Sequence, residues 1–331
     1  MNEFGRNFRV QIFGESHGPV VGIVVDGIPP GLSLCEEDFA ADLDRRRGGM
    51  QKGTTPRKED DLPIFQSGIF QGKTTGSPLN IIFTNANTRS TDYEKQRDVP
   101  RPGHADFVAS KKFGGFEDYR GGGHFSGRLT VCLVAAGVVA KKILALQSIS
   151  CAAHITEIGG EANIEKGLEK AIAEKDSVGG IVECRATGLP IGLGEPFFNS
   201  VESVISHAVF SIPAIKAIEF GAGFAAARMF GSQHNDALID DTGKTATNHA
   251  GGIVGGLTNG NDIIFRVAVK PTSSTPKLQQ TLNLASGKIE DFSVKGRHDL
   301  CIALRVPVVL EAVTAFSLAD LLMRERGKVE G

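Results

Sequence analysis

Two histidines sit where imidazole chemistry is easiest to control. His104 follows Pro102-Gly103 and precedes Asp106 by two residues; His17 lies between Gly14 and Gly18-Pro19, beside Glu15. Imidazole ionises near neutrality, and an adjacent carboxylate can orient it for proton transfer. Donors for anions gather around both. Arg101, Arg120 and Arg128 carry planar forks that match phosphate and carboxylate oxygens. Gly121-Gly122-Gly123 lets backbone N–H groups approach a ligand closely, and a helix starting just beyond adds a positive dipole end. Arg45-Arg46-Arg47, with Lys52, Arg57 and Lys58 after them, exceed what a helix C-terminus needs. Asp299, in Gly296-Arg297-His298-Asp299, reads either as a helix N-cap or as part of a second charged site. The residues describe an anion site with an acid in it.

Positioning such a site takes many short elements. Phe8–Phe13 and Val20–Val25 read as strands, followed by a helix through Phe39 and Leu43 that a Ser33–Glu36 capping box opens and Gly48-Gly49 closes. Residues 62–65, 69–71 and 79–83 are short strand candidates. Leu129 to Leu146 is apolar on every face and so predicts a fully buried helix. Strands near Ile149–Ile158, Ile181–Ala186 and Ile263–Val269 alternate with helices near Asn163–Lys175 and Val201–Phe210. Cys301 to Arg324 closes the pattern as a helix with Pro307 in its first two turns.

Three local patterns recur in the same order. Gly68-Ile69 with Thr74 and Gly76 matches Gly252-Ile253 with Thr258 and Gly260. Gly27-Ile28-Pro29 matches Gly188-Leu189-Pro190, and Gly127-Arg128 matches Gly296-Arg297. They predict two similar halves, about 1–150 and 151–331, within one domain, with both apolar helices in a central layer and a sheet outside each.

Composition narrows the function. The 331 residues are 41% hydrophobic and 22% charged with a net charge of −2, the balance of a soluble globular protein without a nucleic-acid footprint. Five dispersed cysteines without a CxxC pair suit a reducing cytosol. The opening MNEFGRNFRVQIFG resembles no signal peptide, no uncharged run spans a membrane, and no histidine or cysteine spacing suits zinc. GIFQGKT at 68–74 is one residue short of a phosphate-binding P-loop, and Gly76 and Pro78 oppose the helix it needs. Gly221-Ala222-Gly223 through Ala226 fits a dinucleotide fingerprint loosely, without a βαβ unit around it.

These motifs together resemble chorismate synthase. FGESHG at 13–18, DYRGGGHFSGRLT at 118–130 and KGRHDLC at 295–301 correspond to that family's three signature regions. LDRRRGG at 43–49, RPGHAD at 101–106, SIPAIKAIEFG at 211–221, NHAGGIVGG at 248–256 and KPTSS at 270–274 add to the likeness, which spans nearly the whole chain. The resemblance implies an α+β, βαβ-sandwich fold and a carbon–oxygen lyase of the shikimate pathway. That enzyme eliminates phosphate from 5-enolpyruvylshikimate 3-phosphate to give chorismate. It also implies reduced FMN, an external reductant with NADPH as its indirect source, a cytoplasmic homotetramer and no membrane or nucleic-acid partner. The alternative is a non-catalytic flavin- or phosphate-binding relative of the same fold.

Carried over by residue, the resemblance makes His17 the proton donor to flavin, His104 the acid towards the leaving phosphate, and Asp299 a helper in removing the substrate proton. Arg46, Arg47 and Lys52 would bind the substrate or a nicotinamide phosphate. FMN would contact His124, Phe125, Ser126, Pro213, Ala214, Gly255, Lys270, Pro271, Thr272, Ser273, Ser274 and Arg297. The chain departs from the family pattern at Gly48 (for proline), at Lys52 (for arginine) and at His124, Phe125, Gly127 and Leu129 in the second signature.

Overall fold

The computed structural model describes residues 2–49, 52–55, 59–86, 97–294 and 298–329, with side chains up to 324. In chain order, β1 (Glu3–Phe4), β2 (Arg9–Gly14) and β3 (Val20–Asp26) precede α1 (Ala40–Arg46). Next come β4 (Ile64–Ser67), the hairpin β5 (Ile69–Phe70) and β6 (Lys73–Thr74), and β7 (Leu79–Thr84). Helices α2 (Asp106–Phe113) and α3 (Thr130–Ala145) end the first half. The second half runs β8 (Ser150–Ile158), α4 (Ile164–Glu174), β9 (Gly180–Thr187), α5 (Val201–Val209), β10 (Ile215–Phe220) and α6 (Gly231–His234). It closes with the hairpin β11 (Ile253–Val254) and β12 (Leu257–Thr258), β13 (Ile263–Val269), the hairpin β14 (Gln279–Leu282) and β15 (Ile289–Phe292), and α7 (Val306–Val329).

Two antiparallel sheets form, ordered β1-β2-β3-β7-β4 and β10-β13-β9-β8. Between them lie α3 against the first and α7 against the second, and the two helices pack on each other. Every residue from Thr130 to Ala140 is buried, because a helix apolar around its circumference needs cover on all sides. Strand β13 alternates buried and half-buried residues along its length, the pattern of a sheet with one face on the core. The fold is the α+β sandwich expected from sequence.

Matching hydrogen bonds recur in both halves. Thr74 Oγ1 donates to the Pro29 carbonyl (2.6 Å) and accepts from Leu32 N (3.0 Å); Thr258 Oγ1 donates to Pro190 (2.6 Å) and accepts from Leu193 N (2.9 Å). The hairpins that carry these threonines share a register, Ile69 opposite Thr74 and Ile253 opposite Thr258. The P-loop-like GIFQGKT is therefore the β5–β6 hairpin, with no helix to hold a phosphate.

Some local expectations shift. Cys35, not Ser33, caps the first helical turn: its N–H donates to Asp38 (2.9 Å), and Ser33 bridges to Lys73 instead. The strand expected at 62–65 begins at Ile64. Strand β10 and the β14–β15 hairpin add to the elements expected from the residue pattern.

Charged ties pin the layers. Glu311 on α7 accepts from Arg45 of α1 (2.6 and 2.7 Å), Lys141 of α3 (2.8 Å) and the Ala153 N–H of β8 (3.0 Å). Asp320, also on α7, accepts the backbone N–H groups of Arg6, Asn7 and Phe8 at 2.8, 2.6 and 3.1 Å.

The α3–α7 contact leaves no room for a side chain at Gly137, where a Cβ would overlap Ala312 Cβ and Cα. Ordinarily alanine gains about 1 kcal/mol over glycine within a helix. Here overpacking of about 1–3 kcal/mol opposes it. Gly137→Ala should therefore lower the midpoint of urea unfolding, and Gly137→Leu should lower it further; a stabilised Gly137→Ala would contradict this close crossing.

Candidate active site

One cavity of about 720 Å³ opens between the two halves. Its wall takes residues from α1, the loop before α2, the stretch leading into α3, α5 and its following turn, the segment after β13, and the start of the last helix.

The glycine triplet does the closest positioning. Gly121, Gly122 and Gly123 all have positive φ (60°, 81° and 53°), a conformation that side chains oppose. Gly121 lies against the His17 ring, where any Cβ would overlap Cε1 and Nδ1. A Cβ on Gly122 would come within 3.1 Å of His104 Cε1. Ser16 N donates to the Gly123 carbonyl (3.1 Å), and His124 Nδ1 bonds the Gly14 carbonyl (2.8 Å). The first and second signatures are thus laced together, with an imidazole on each side of the triplet.

His104 Nδ1 lies 2.6 Å from Asp106 Oδ1 and 3.0 Å from Arg101 Nη2. Arg101 grips the same carboxylate through Nε (2.7 Å) and Nη2 (2.8 Å) and reaches Ser274 Oγ at 3.2 Å. With Nδ1–H donating to Asp106, His104 turns Nε2 towards Gly122 and the cavity wall. Burial alone would raise the Asp106 pKa, but the bonds from Arg101 and then His104 hold it well below the usual carboxylate range.

Another part of the wall is cationic and buried, at Arg46 and Arg128. Arg46 Nη2 bonds Asp61 Oδ2 (2.6 Å), and Nη1 reaches Thr130 Oγ1 (3.3 Å). Arg128 pairs with the other oxygen of Asp61. Burial brings the Arg46 guanidinium down to about 10; Asp61 opposes that shift, while Arg305 and Arg128 add to it. Asp299 accepts from Thr55 N (2.9 Å) and Arg305 Nη1 (3.0 Å), and Arg305 Nε holds the Arg46 carbonyl (2.8 Å). Asp299 is therefore no helix cap; Cys301 takes that place.

Most residues expected from sequence meet here. Arg46, Arg47, His104, Asp299, His124, Phe125 and Ser126 line the cavity, as do Pro213, Ala214, Lys270, Thr272, Ser273 and Ser274. Lys270 Nζ donates to Ser273 Oγ (2.8 Å), which in turn donates to the Gly103 carbonyl (2.7 Å). His17 sits behind Gly121 rather than on the wall. Lys52 and Pro271 are not on it, Gly255 occupies the exposed β11–β12 turn, and Arg297 falls outside the described residues. The arginine triplet also divides: Arg45 serves Glu311 away from the cavity, and Arg47 bonds the Asp60 carbonyl (2.5 Å) at its rim. Arg120 pairs with Asp118 instead of facing a ligand. Arg305, Asp61, Thr130 and His207 went unnoticed; a polar residue inside an apolar run, as Arg305 is, was the signal available for one of them.

Two antiparallel sheets enclosing a helix pair, with a carboxylate-held imidazole and buried guanidinium groups on one cavity, have the make-up of an enzyme site suited to anions. Comparison with known proteins makes the assignment specific: the family model described as chorismate synthase matches residues 8–323, and this chain belongs to that family. A chorismate synthase from Chitinophaga pinensis is 71% identical across 98% of both chains, and one from Korarchaeum cryptofilum is 46% identical across 98% of this chain and 99% of its own. A crystal structure of a chorismate synthase superposes with a TM-score of 0.72 at 30% identity, over 97% of this chain and 93% of the other. Membership makes the protein a carbon–oxygen lyase.

The Asp106 bonds have a pH signature. A carboxyl depressed in the folded state stabilises it above the unfolded pKa of about 3.9, and the gain is lost as pH falls from there towards the folded value. Asp106→Asn should thus lower the melting temperature most at neutral pH, with the gap to wild type closing below about pH 4. A constant gap from pH 7 to 3 would show that the carboxylate charge contributes nothing.

Proposed function

We propose that this protein eliminates phosphate from 5-enolpyruvylshikimate 3-phosphate to yield chorismate, using reduced FMN in this cavity. The single observation behind this reading is that His104, which Asp106 holds from behind, Arg46, Arg128 and Asp299 all border one space.

The residues present suit a flavin phosphate. At about 720 Å³ the cavity has the size of a cofactor site. Phe125, Leu129 and Ile302 give it apolar surface for a fused ring, and Lys270 and Ser274 supply donors for a phosphate. When bound, reduced FMN would lend electron density as the phosphate leaves and recover it as the proton is lost.

The chain's own part is position, charge and protons. Arg46 and Arg128 would hold the polyanionic ester in a water-poor site, where their charge is strongest against the departing phosphate. His104, oriented by Asp106, would donate from Nε2 to the phosphate oxygen as the C–O bond breaks. Asp299, fixed by Thr55 and Arg305, would stand on the proton-accepting side. His17 would act through the glycine triplet's neighbourhood as the flavin's proton donor. His124 donates from Nδ1 to Gly14, so its Nε2 is the atom left for a ligand.

By the same reading the chain is one domain of two related halves, cytoplasmic, and draws its reduced flavin from an external reductant with NADPH as the distant source. A homotetramer would cover the exposed Phe197, Phe198, Phe224 and Phe230, each more than three-quarters exposed in the single chain. The second reading, a non-catalytic flavin- or phosphate-binding relative, draws on His124 and Phe125 in place of the usual second-signature residues.

Anaerobic protein with reduced FMN should release inorganic phosphate from the ester; flavin bound and reduced with no release would leave only the second reading. His104→Ala should reduce turnover about 10²-fold or more while shifting FMN affinity little. Equal losses in both would reassign His104 to a structural part.

A further inference from the structure

Asp61 is fully buried and has a left-handed backbone (φ 51°), a strained geometry for a residue other than glycine. Each of its oxygens takes a different guanidinium, Arg46 from α1 and Arg128 from the turn before α3. Arg128 passes the constraint on. Its Nε donates to Asn85 Oδ1 (2.9 Å), and Asn85 Nδ2 donates to the carbonyls of Glu15 (3.1 Å) and Gly18 (2.9 Å) on either side of His17. Arg46 Nε, by contrast, is buried and meets no acceptor among the described residues. Arg305 stands close by, with its own partner in Asp299.

Three guanidinium groups therefore face two carboxylates, Asp61 and Asp299. Without Asp61, Arg46 and Arg128 would repel each other in a poorly screened interior, and one would swing away or drag water in. We infer that Asp61 is a positioning residue that clamps Arg46 and Arg128 into one anion receptor and leaves it with one net positive charge, which an incoming phosphate ester balances. This deepens the functional reading above and rests on it. Asp61 itself touches no substrate; it acts through the two arginines and, through Asn85, on the loop of His17.

A carboxylate that balances charge can be replaced by a free anion, and one that only packs cannot. The test compares wild type, Asp61→Asn and Arg46→Gln/Asp61→Asn by thermal melting in sodium phosphate and in sodium chloride of equal ionic strength, with steady-state kinetics on the ester. Asp61→Asn should melt about 5 °C or more below wild type in chloride and regain at least about half of that in phosphate, a larger phosphate shift than wild type shows. The double variant, with one charge of each sign removed, should melt above Asp61→Asn and show a phosphate shift no larger than that of wild type. In turnover, Asp61→Asn should lower kcat about 10²-fold with KM changed less than about threefold, since both cations remain but are misplaced.

Equal melting deficits in phosphate and chloride would overturn the inference, as would an unchanged kcat. Should Asp61→Asn prove too unstable to purify, the double variant still decides: no recovery of soluble, cooperatively melting protein counts against charge balance. Failure of wild type to release phosphate overturns the functional reading instead, and the melting comparison between variants stands apart from it.

Discussion

The molecule depends on two apolar helices touching backbone to backbone. Among the described residues α3 and α7 form the layer between the two sheets, and at Gly137 they approach so closely that even a methyl group would collide with Ala312. Such contact gives dispersion and burial at full density, but it also sets the distance between the halves. The cavity wall is made from the ends of these same helices, Arg128–Thr130 at the start of one and Ile302–Arg305 just before the other. A change in the helix crossing would thus move Arg128 relative to Asp299, and the site inherits its dimensions from packing well away from it.

The cavity joins chemistry from both halves in an unequal way. Residues before 150 contribute His104, His124, Arg46 and Arg128, the two arginines held by Asp61, along with a turn of three glycines in sequence. Residues after 210 contribute Lys270, Ser273, Ser274 and Asp299, mostly on segments that leave a sheet. Ser273 Oγ on the Gly103 carbonyl and Arg101 on Ser274 Oγ stitch the two contributions together beside His104. The His104 ring is therefore held from both sides, which limits its freedom to turn away from the cavity.

Much of this was legible from residue patterns. An apolar run from Leu129 to Leu146 has no solvent face, so its central burial follows directly, and β13 alternates as a half-covered strand must. Thr74 and Thr258 appeared as matched letters and prove to be matched hydrogen bonds. What stayed hidden was partnership across sequence distance. Nothing local distinguishes Arg45, bound to Glu311 266 residues away, from Arg46 at the cavity. Asp61 sits in an unremarkable acidic stretch, and only tertiary packing places it between two guanidinium groups. The helix start was misjudged for a related reason: Ser33 is a fine N-cap in isolation, but its backbone is claimed by Lys73.

Asp320 gathers the amides of Arg6, Asn7 and Phe8 from 314 to 312 positions away along the chain. On a ribosome the earliest strand emerges long before the helix that receives it, and α3 likewise waits for α7. Until then a sheet edge and an apolar helix stand open, the kind of surface that invites aggregation and chaperone capture. Emergence of α7, rather than any earlier stage of synthesis, is what lets the sandwich close.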